Sequence, residues 1–170
     1  VTGVSAAHPR RAAGTTGLGL FALLGAGPAA AADAEPAWGS LTVHITETPS
    51  GSPSPAKVVL FHAPGGKKAR LLSQSTRSQV VRPEVALTMN GRLDLAVLPG
   101  TYRVMAGRGM EFSTAEAEVA VKPGARAAAR LVLRRELDTA GFVAADLHNH
   151  TVFSDGDPSI DERLVSFAGE

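Results

Sequence analysis

The run Arg92-Leu-Asp-Leu-Ala-Val97, Leu98-Pro99-Gly100, Thr101-Tyr-Arg-Val-Met-Ala106 decides the class of fold. Apolar and polar side chains alternate on both sides of the Pro-Gly turn, which is the period of a half-buried strand, and Pro and Gly stand where a strand cannot continue. The same rhythm returns from Thr114 to Val121 and from Arg126 to Leu133, around Lys122-Pro123-Gly124. Four strands separated by Pro-Gly or Gly turns predict an antiparallel sheet. Upstream, Leu41-Thr-Val-His-Ile-Thr46 alternates, and the loop Thr48-Pro-Ser-Gly-Ser-Pro-Ser-Pro55 separates it from Lys57-Val-Val-Leu-Phe61. Six or seven strands over residues 40–137 therefore predict an all-β sandwich. Ala63 to Glu84 has no consistent period and is assigned a long loop with room for one irregular strand.

Composition narrows the function classes. The 170 residues include no cysteine, and 17 basic residues face 16 acidic ones for a net charge of +1. A disulfide-stapled mini-protein and a cysteine-liganded zinc module are excluded, and a near-neutral chain is not expected to bind nucleic acid through bulk electrostatics.

The N-terminus predicts export. Val1 to Ala34 comprises a basic start ending in Arg10-Arg11, an apolar stretch from Gly17 to Ala26 and a small-residue run from Ala29. This is the layout of a signal peptide, with cleavage after Ala32 or Ala34. Spanning a bilayer takes about 20 apolar residues, so no permanent membrane span is expected. The arginine pair permits a twin-arginine route, to which Ala12-Ala13-Gly14 is a poor match. Removing residues 1–32 takes two of the 17 basic residues and none of the 16 acidic ones, leaving a net charge of −1. A secreted or cell-envelope location follows as the expectation.

The segment Leu98-Pro99-Gly100-Thr101-Tyr102-Arg103-Val104 resembles the Pro-Gly-Thr-Tyr signature of carboxypeptidase-regulatory-like and transthyretin-like sandwiches. The resemblance implies an accessory module without chemistry of its own. Consistent with that, His44 and His62 are isolated, and a lone histidine on a strand is a packed or exposed side chain far more often than a ligand. Gly65-Gly66-Lys67-Lys68 lacks the spacing and following helix of a phosphate loop and is assigned to a solvated hairpin turn. Arg108-Gly109-Met110-Glu111-Phe112 is assigned to a turn.

The chemistry lies in the last thirty residues. Phe142-Val-Ala-Ala-Asp-Leu147 is an apolar run of the kind a buried parallel strand uses, and it leads into His148-Asn149-His150-Thr151. Side chains two apart on an extended segment share a side, so His148 and His150 can bring two imidazoles to one point. Asp155 follows through Ser154-Asp155-Gly156, a turn able to swing its carboxylate back. Two nitrogen donors and an anionic oxygen suit zinc, manganese or iron(II). Asp146 lies on the same side and is a candidate for holding one imidazole by its remaining N–H. Ser159 and Glu162 have capping-box spacing, so a helix is expected from about Ile160, with Leu164, Phe167 and Ala168 as the face laid on a sheet. Strand, ligand-bearing loop and helix in that order predict the first βα unit of an α/β domain.

Asp146-Leu-His148-Asn-His150-Thr-Val-Phe-Ser154-Asp155-Gly156, followed by Ser159-Ile-Asp-Glu162-Arg163, resembles the first motif of the PHP (polymerase and histidinol phosphatase) metallohydrolase superfamily, and within it the CehA/McbA-type branch. The resemblance implies a distorted seven-stranded β/α barrel binding two or three divalent metal ions. It also implies hydrolysis of a phosphoester or related ester bond in a small-molecule or phosphoester substrate, through metal-activated water. His148, His150 and Asp155 match the family's first-motif metal ligands, while capping accounts for Glu162. The family's further His, Glu and Asp ligands have no counterpart before Glu170. Residues 141–170 are accordingly expected to be the truncated start of the PHP domain, inactive by themselves and poorly ordered. A second reading is a secreted β-sandwich binding or spacer module with a non-functional remnant of the motif.

Overall fold

The computed structural model describes residues 37–170. The expected signal peptide, residues 1–34, lies outside the described residues. Eight strands form two sheets: β1 (Gly39–Thr48), β2 (Ala56–His62), β3 (Gln79–Arg82), β4 (Val85–Thr88), β5 (Arg92–Val97), β6 (Gly100–Gly107), β7 (Ala115–Val121) and β8 (Arg126–Arg134). One sheet has the order β5-β1-β8 and the other β3-β4-β2-β6-β7. A single helix, α1 (Ile160–Gly169), follows.

The two sheets bury a common core because each strand alternates. Leu41, Val43 and Ile45 of β1 point inward with Leu93, Leu95 and Val97 of β5 and Leu131 and Leu133 of β8. They meet Val58, Leu60, Tyr102 and Val104 from the facing sheet. The β-sandwich expected for residues 40–137 is thus present, and β5 to β8 fall where the alternation places them.

Their connectivity differs from the expectation of one antiparallel sheet. β6 and β7 are antiparallel neighbours, but Leu98-Pro99-Gly100 carries the chain from one sheet to the other, and β8 returns to pair parallel with β1. Alternation is the same for a hairpin and for a corner between sheets. The corner is held by a contact distant from the turn residues themselves: the buried Tyr102 hydroxyl donates to the Leu98 carbonyl at 2.6 Å. That bond satisfies a phenol that burial would otherwise penalise.

The expected long loop is present and holds one short strand. β3 lies inside Ala63 to Glu84 and pairs with β4, while Ala69 and Leu71 drop into the core. Period two is invisible there because β3 has only four residues. The same region closes the outer edge of β5. Ser73 Oγ accepts from Ala96 N at 2.6 Å and Gln79 Oε1 from Asp94 N at 3.2 Å, removing donors an open edge would present. Residues 62–67 form the expected turn, with His62 N donating to Lys67 O at 2.8 Å.

Between β4 and β5, Gly91 has φ +71°, and a Cβ there would stand 2.5 Å from Ile45 O and 2.8 Å from Ser54 N. Those two atoms are themselves hydrogen bonded at 3.1 Å. Gly91→Ala therefore combines a left-handed backbone with a clash against fixed main chain, and is expected to cost about 3 kcal/mol. Urea unfolding followed by circular dichroism measures this; a loss under ~1 kcal/mol contradicts the packing described.

Helix α1 forms as its sequence dictates but packs differently. The capping box is complete: Ser159 Oγ accepts from Glu162 N at 3.2 Å, and Glu162 Oε2 accepts from Ser159 N at 3.0 Å. The buried face, however, is Val165 and Gly169, while Leu164 and Phe167 are exposed and Ala168 is half-buried. Val165 packs on Val80 and Leu87, on the outer side of β3 and β4, and Gly169 lies against Ala56 and Leu87. Arg82 steers this docking, its Nη2 meeting Glu162 Oε2 at 3.1 Å.

The apolar run before the motif is not a strand. Residues 142–150 have no regular structure, and Phe142, Val143 and Leu147 are 80%, 91% and 95% exposed. A parallel strand requires a neighbouring strand on which to pair, and none among the described residues pairs with this segment. The predicted first βα unit is therefore represented by its loop and helix only.

Candidate metal centre

The candidate site is one loop between the extended segment and α1. Asp146 Oδ1 accepts from His148 N at 3.0 Å, and Asn149 Nδ2 donates to Asp146 O at 2.9 Å, so the segment bends at the motif. Asp146 thus holds backbone, not an imidazole. The loop then tightens around Thr151, whose carbonyl accepts from Ser154 N at 2.9 Å and Gly156 N at 3.2 Å. Val152 N donates to Pro158 O at 3.0 Å and ties the loop to the helix entrance.

This folding returns Gly156 onto His150. A Cβ on Gly156 would lie 2.7 Å from His150 C and 2.8 Å from His150 Cβ, so the close approach needs glycine. From the helix, Arg163 Nη2 donates to His150 O at 2.7 Å, fixing the main chain that carries the imidazole. Arg163 Nε is buried and makes no hydrogen bond.

His148 and His150 come together as their spacing predicts. Their Nε2 atoms are 2.8 Å apart and their ring centroids 4.8 Å apart, tilted by 37°. Two nitrogens bound to one ion at 2.0–2.1 Å would be separated by roughly 2.9 to 3.4 Å, so the pair sits close to what a shared cation requires. Two lone pairs facing each other at this distance otherwise repel unless one ring supplies a proton.

Asp155 does not join the Nε2 pair. Its carboxylate lies against His150 Nδ1, on the opposite edge of the ring, and off the line of a hydrogen bond. There it places negative charge beside the ring edge opposite Nε2, without a hydrogen bond to Nδ1. Among the described residues, no group of three His, Asp or Glu side chains is arranged to hold a metal ion. The donors fit an ion at the two imidazoles, with Asp155 outside that point. The side chains of His150 and Asp155 are 42% and 83% exposed, so the site is open to solvent.

Sequence spacing singled out the histidines, Asp155 and Asp146, but assigned no role to Arg163 or Gly156. The Ser154-Asp155-Gly156 turn was legible, though not the contact its glycine makes with His150. Nothing in the spacing signalled Arg163, which reaches the loop from one helical turn inside α1.

No helix among the described residues is long and apolar enough to cross a membrane. The chain matches no protein-family model and no curated protein. Among solved structures it is similar to GBS52, the minor pilin of the Gram-positive pathogen Streptococcus agalactiae, at 13% identity and a TM-score of 0.46. That similarity covers 65% of this chain and 49% of the pilin, so the chain spans about half the pilin's length.

Proposed function

We propose that this chain carries the first metal-binding motif of an exported PHP-type metal-dependent hydrolase, mounted behind a β-sandwich accessory domain. The hydrolase acts on phosphoester or related ester bonds. The observation that carries the reading is the convergence of His148 Nε2 and His150 Nε2 at 2.8 Å on the loop that matches the motif. A bound divalent ion, of zinc, manganese or iron, supplies Lewis acidity and a water acidic enough to be a nucleophile near neutral pH.

The protein's own residues have separate tasks. His148 and His150 present their Nε2 atoms, and Asp155 contributes negative charge beside His150 Nδ1. Asp146 fixes His148 through its main chain, and Arg163 fixes His150 through its carbonyl. Positioning a substrate requires walls and further ligands, which the resemblance assigns to later strands and which have no counterpart among the described residues. The described residues by themselves are therefore expected to bind metal without turnover.

The second reading, a sandwich module with a remnant motif, is favoured by one observation: Phe142, Val143 and Leu147 are exposed and residues 142–150 are unpaired. Hydrolysis separates the two. In the native protein carrying the remaining ligands, His148→Ala with His150→Ala is expected to abolish hydrolysis of p-nitrophenyl phosphate and of its bis-ester. Hydrolysis that survives the double substitution contradicts the proposal.

A further inference from the structure

The outer face of the β5-β1-β8 sheet is basic although the chain is nearly neutral. Strand alternation sends Arg126, Arg130 and Arg134 outward while Ala129, Leu131 and Leu133 pack inward. Register places Ser40 beside Arg126, His44 beside Arg130, and Arg92 on the other flank of His44. One row across the sheet is thus Arg92, His44, Arg130.

These charges are unequally engaged. Arg92 donates from Nε at 2.9 Å and Nη2 at 2.8 Å to Asp94, which also accepts from the Thr42 hydroxyl at 2.8 Å. The hydrogen bonds from Arg92 hold the Asp94 carboxyl below the usual carboxylate range. Arg134 meets Glu136 at 2.7 Å. Arg126 and Arg130 are exposed and form no ion pair with a described residue.

Geometry and chemistry restrict what would neutralise them. Four residues of strand separate successive arginines of β8 by about 13 Å, which suits an extended ligand. The outward residues of β1, β5 and β8 include no Phe, Tyr or Trp, and a single exposed ring, Trp38 two residues before Ser40, stands at the end of the face, so successive bases have no row of platforms on which to stack. A guanidinium fork satisfies both oxygens of a carboxylate, whereas a phosphate keeps further acceptor oxygens. Ser40 and His44 stand beside the arginines as donors for them.

We propose that this face, centred on Arg126 and Arg130 with Ser40 and His44, binds a linear phosphate-bearing polymer that lacks bases. The test titrates the 170-residue chain with long-chain inorganic polyphosphate at physiological ionic strength, by calorimetry. Saturable binding is expected. Arg126→Glu with Arg130→Glu should weaken it at least a hundredfold, about tenfold for each charged contact. Arg126→Lys with Arg130→Lys, which preserves charge and packing but not the forks, should weaken it about tenfold. Arg70→Glu with Arg77→Glu, the same charge change on exposed residues elsewhere, should weaken it less than threefold. The proposal is overturned if the unaltered chain does not bind, or if the Arg70 and Arg77 pair loses as much as the Arg126 and Arg130 pair. Equal affinity for polyglutamate or for a single-stranded oligonucleotide also overturns it.

Discussion

Tyr102→Ala is expected to remove about 4 to 5 kcal/mol of folding stability, roughly a third or more of the margin of an ordinary domain. Tyr102 is the largest of the fully buried side chains, at 1% exposure, and it holds the corner where the chain changes sheets. Truncation leaves a cavity in the core between the two sheets and releases the Leu98 carbonyl from its hydrogen bond. Tyr102→Phe keeps the volume and isolates that bond, so it is expected to cost about 1 to 2 kcal/mol.

Alkali supplies a second readout. Burial raises the Tyr102 pKa above its usual 10.0. The folded state therefore keeps the phenol protonated where the unfolded chain releases the proton, so stability is fully present below about pH 10 and falls as pH rises through the folded value. Urea midpoints for the unaltered chain should decline more steeply above that pH than those of Tyr102→Phe. Identical alkaline slopes contradict a buried, hydrogen-bonded phenol.

His148→Ala with His150→Ala is expected to weaken zinc binding by at least a hundredfold, measured by competition with a chromophoric chelator. Loss of a partner that merely orients a ligand costs metal sites about tenfold to a hundredfold, and here both imidazoles are removed. The carboxylates that remain, Asp146 and Asp155, are on an exposed loop and do not converge. Asp155→Asn retains shape and removes charge next to His150 Nδ1, and is expected to weaken zinc tenfold or more. Melting temperatures should change little in either variant, because α1 docks through Val165 and Gly169 and not through the loop.

Alternation located β5 to β8 because those strands have one face in the core and one in water. It was silent about which sheet each strand joins, since Leu98-Pro99-Gly100 serves equally as a hairpin turn or a corner. The Ser159 and Glu162 spacing located the start of α1, because capping is local chemistry. The buried face of α1 was misjudged: Leu164 and Phe167 form the more apolar stripe, but the patch available on β3 and β4 and the Arg82 to Glu162 ion pair select Val165 and Gly169. The apolar run from Phe142 was misjudged for a related reason, since a hydrophobic segment becomes a strand only where another strand accepts its hydrogen bonds. In the site, period two correctly paired His148 with His150. It could not show that the return of the loop carries Asp155 to the Nδ1 edge, because that depends on the Thr151 to Gly156 turn and its fit against His150.

If His148 and His150 jointly bind a divalent ion, zinc-edge X-ray absorption of the zinc-loaded chain will show two imidazole nitrogens at about 2.0 to 2.1 Å in the zinc shell, with that signature lost in His148→Ala with His150→Ala. A shell without imidazole, or one unchanged by the double substitution, would contradict this joint binding.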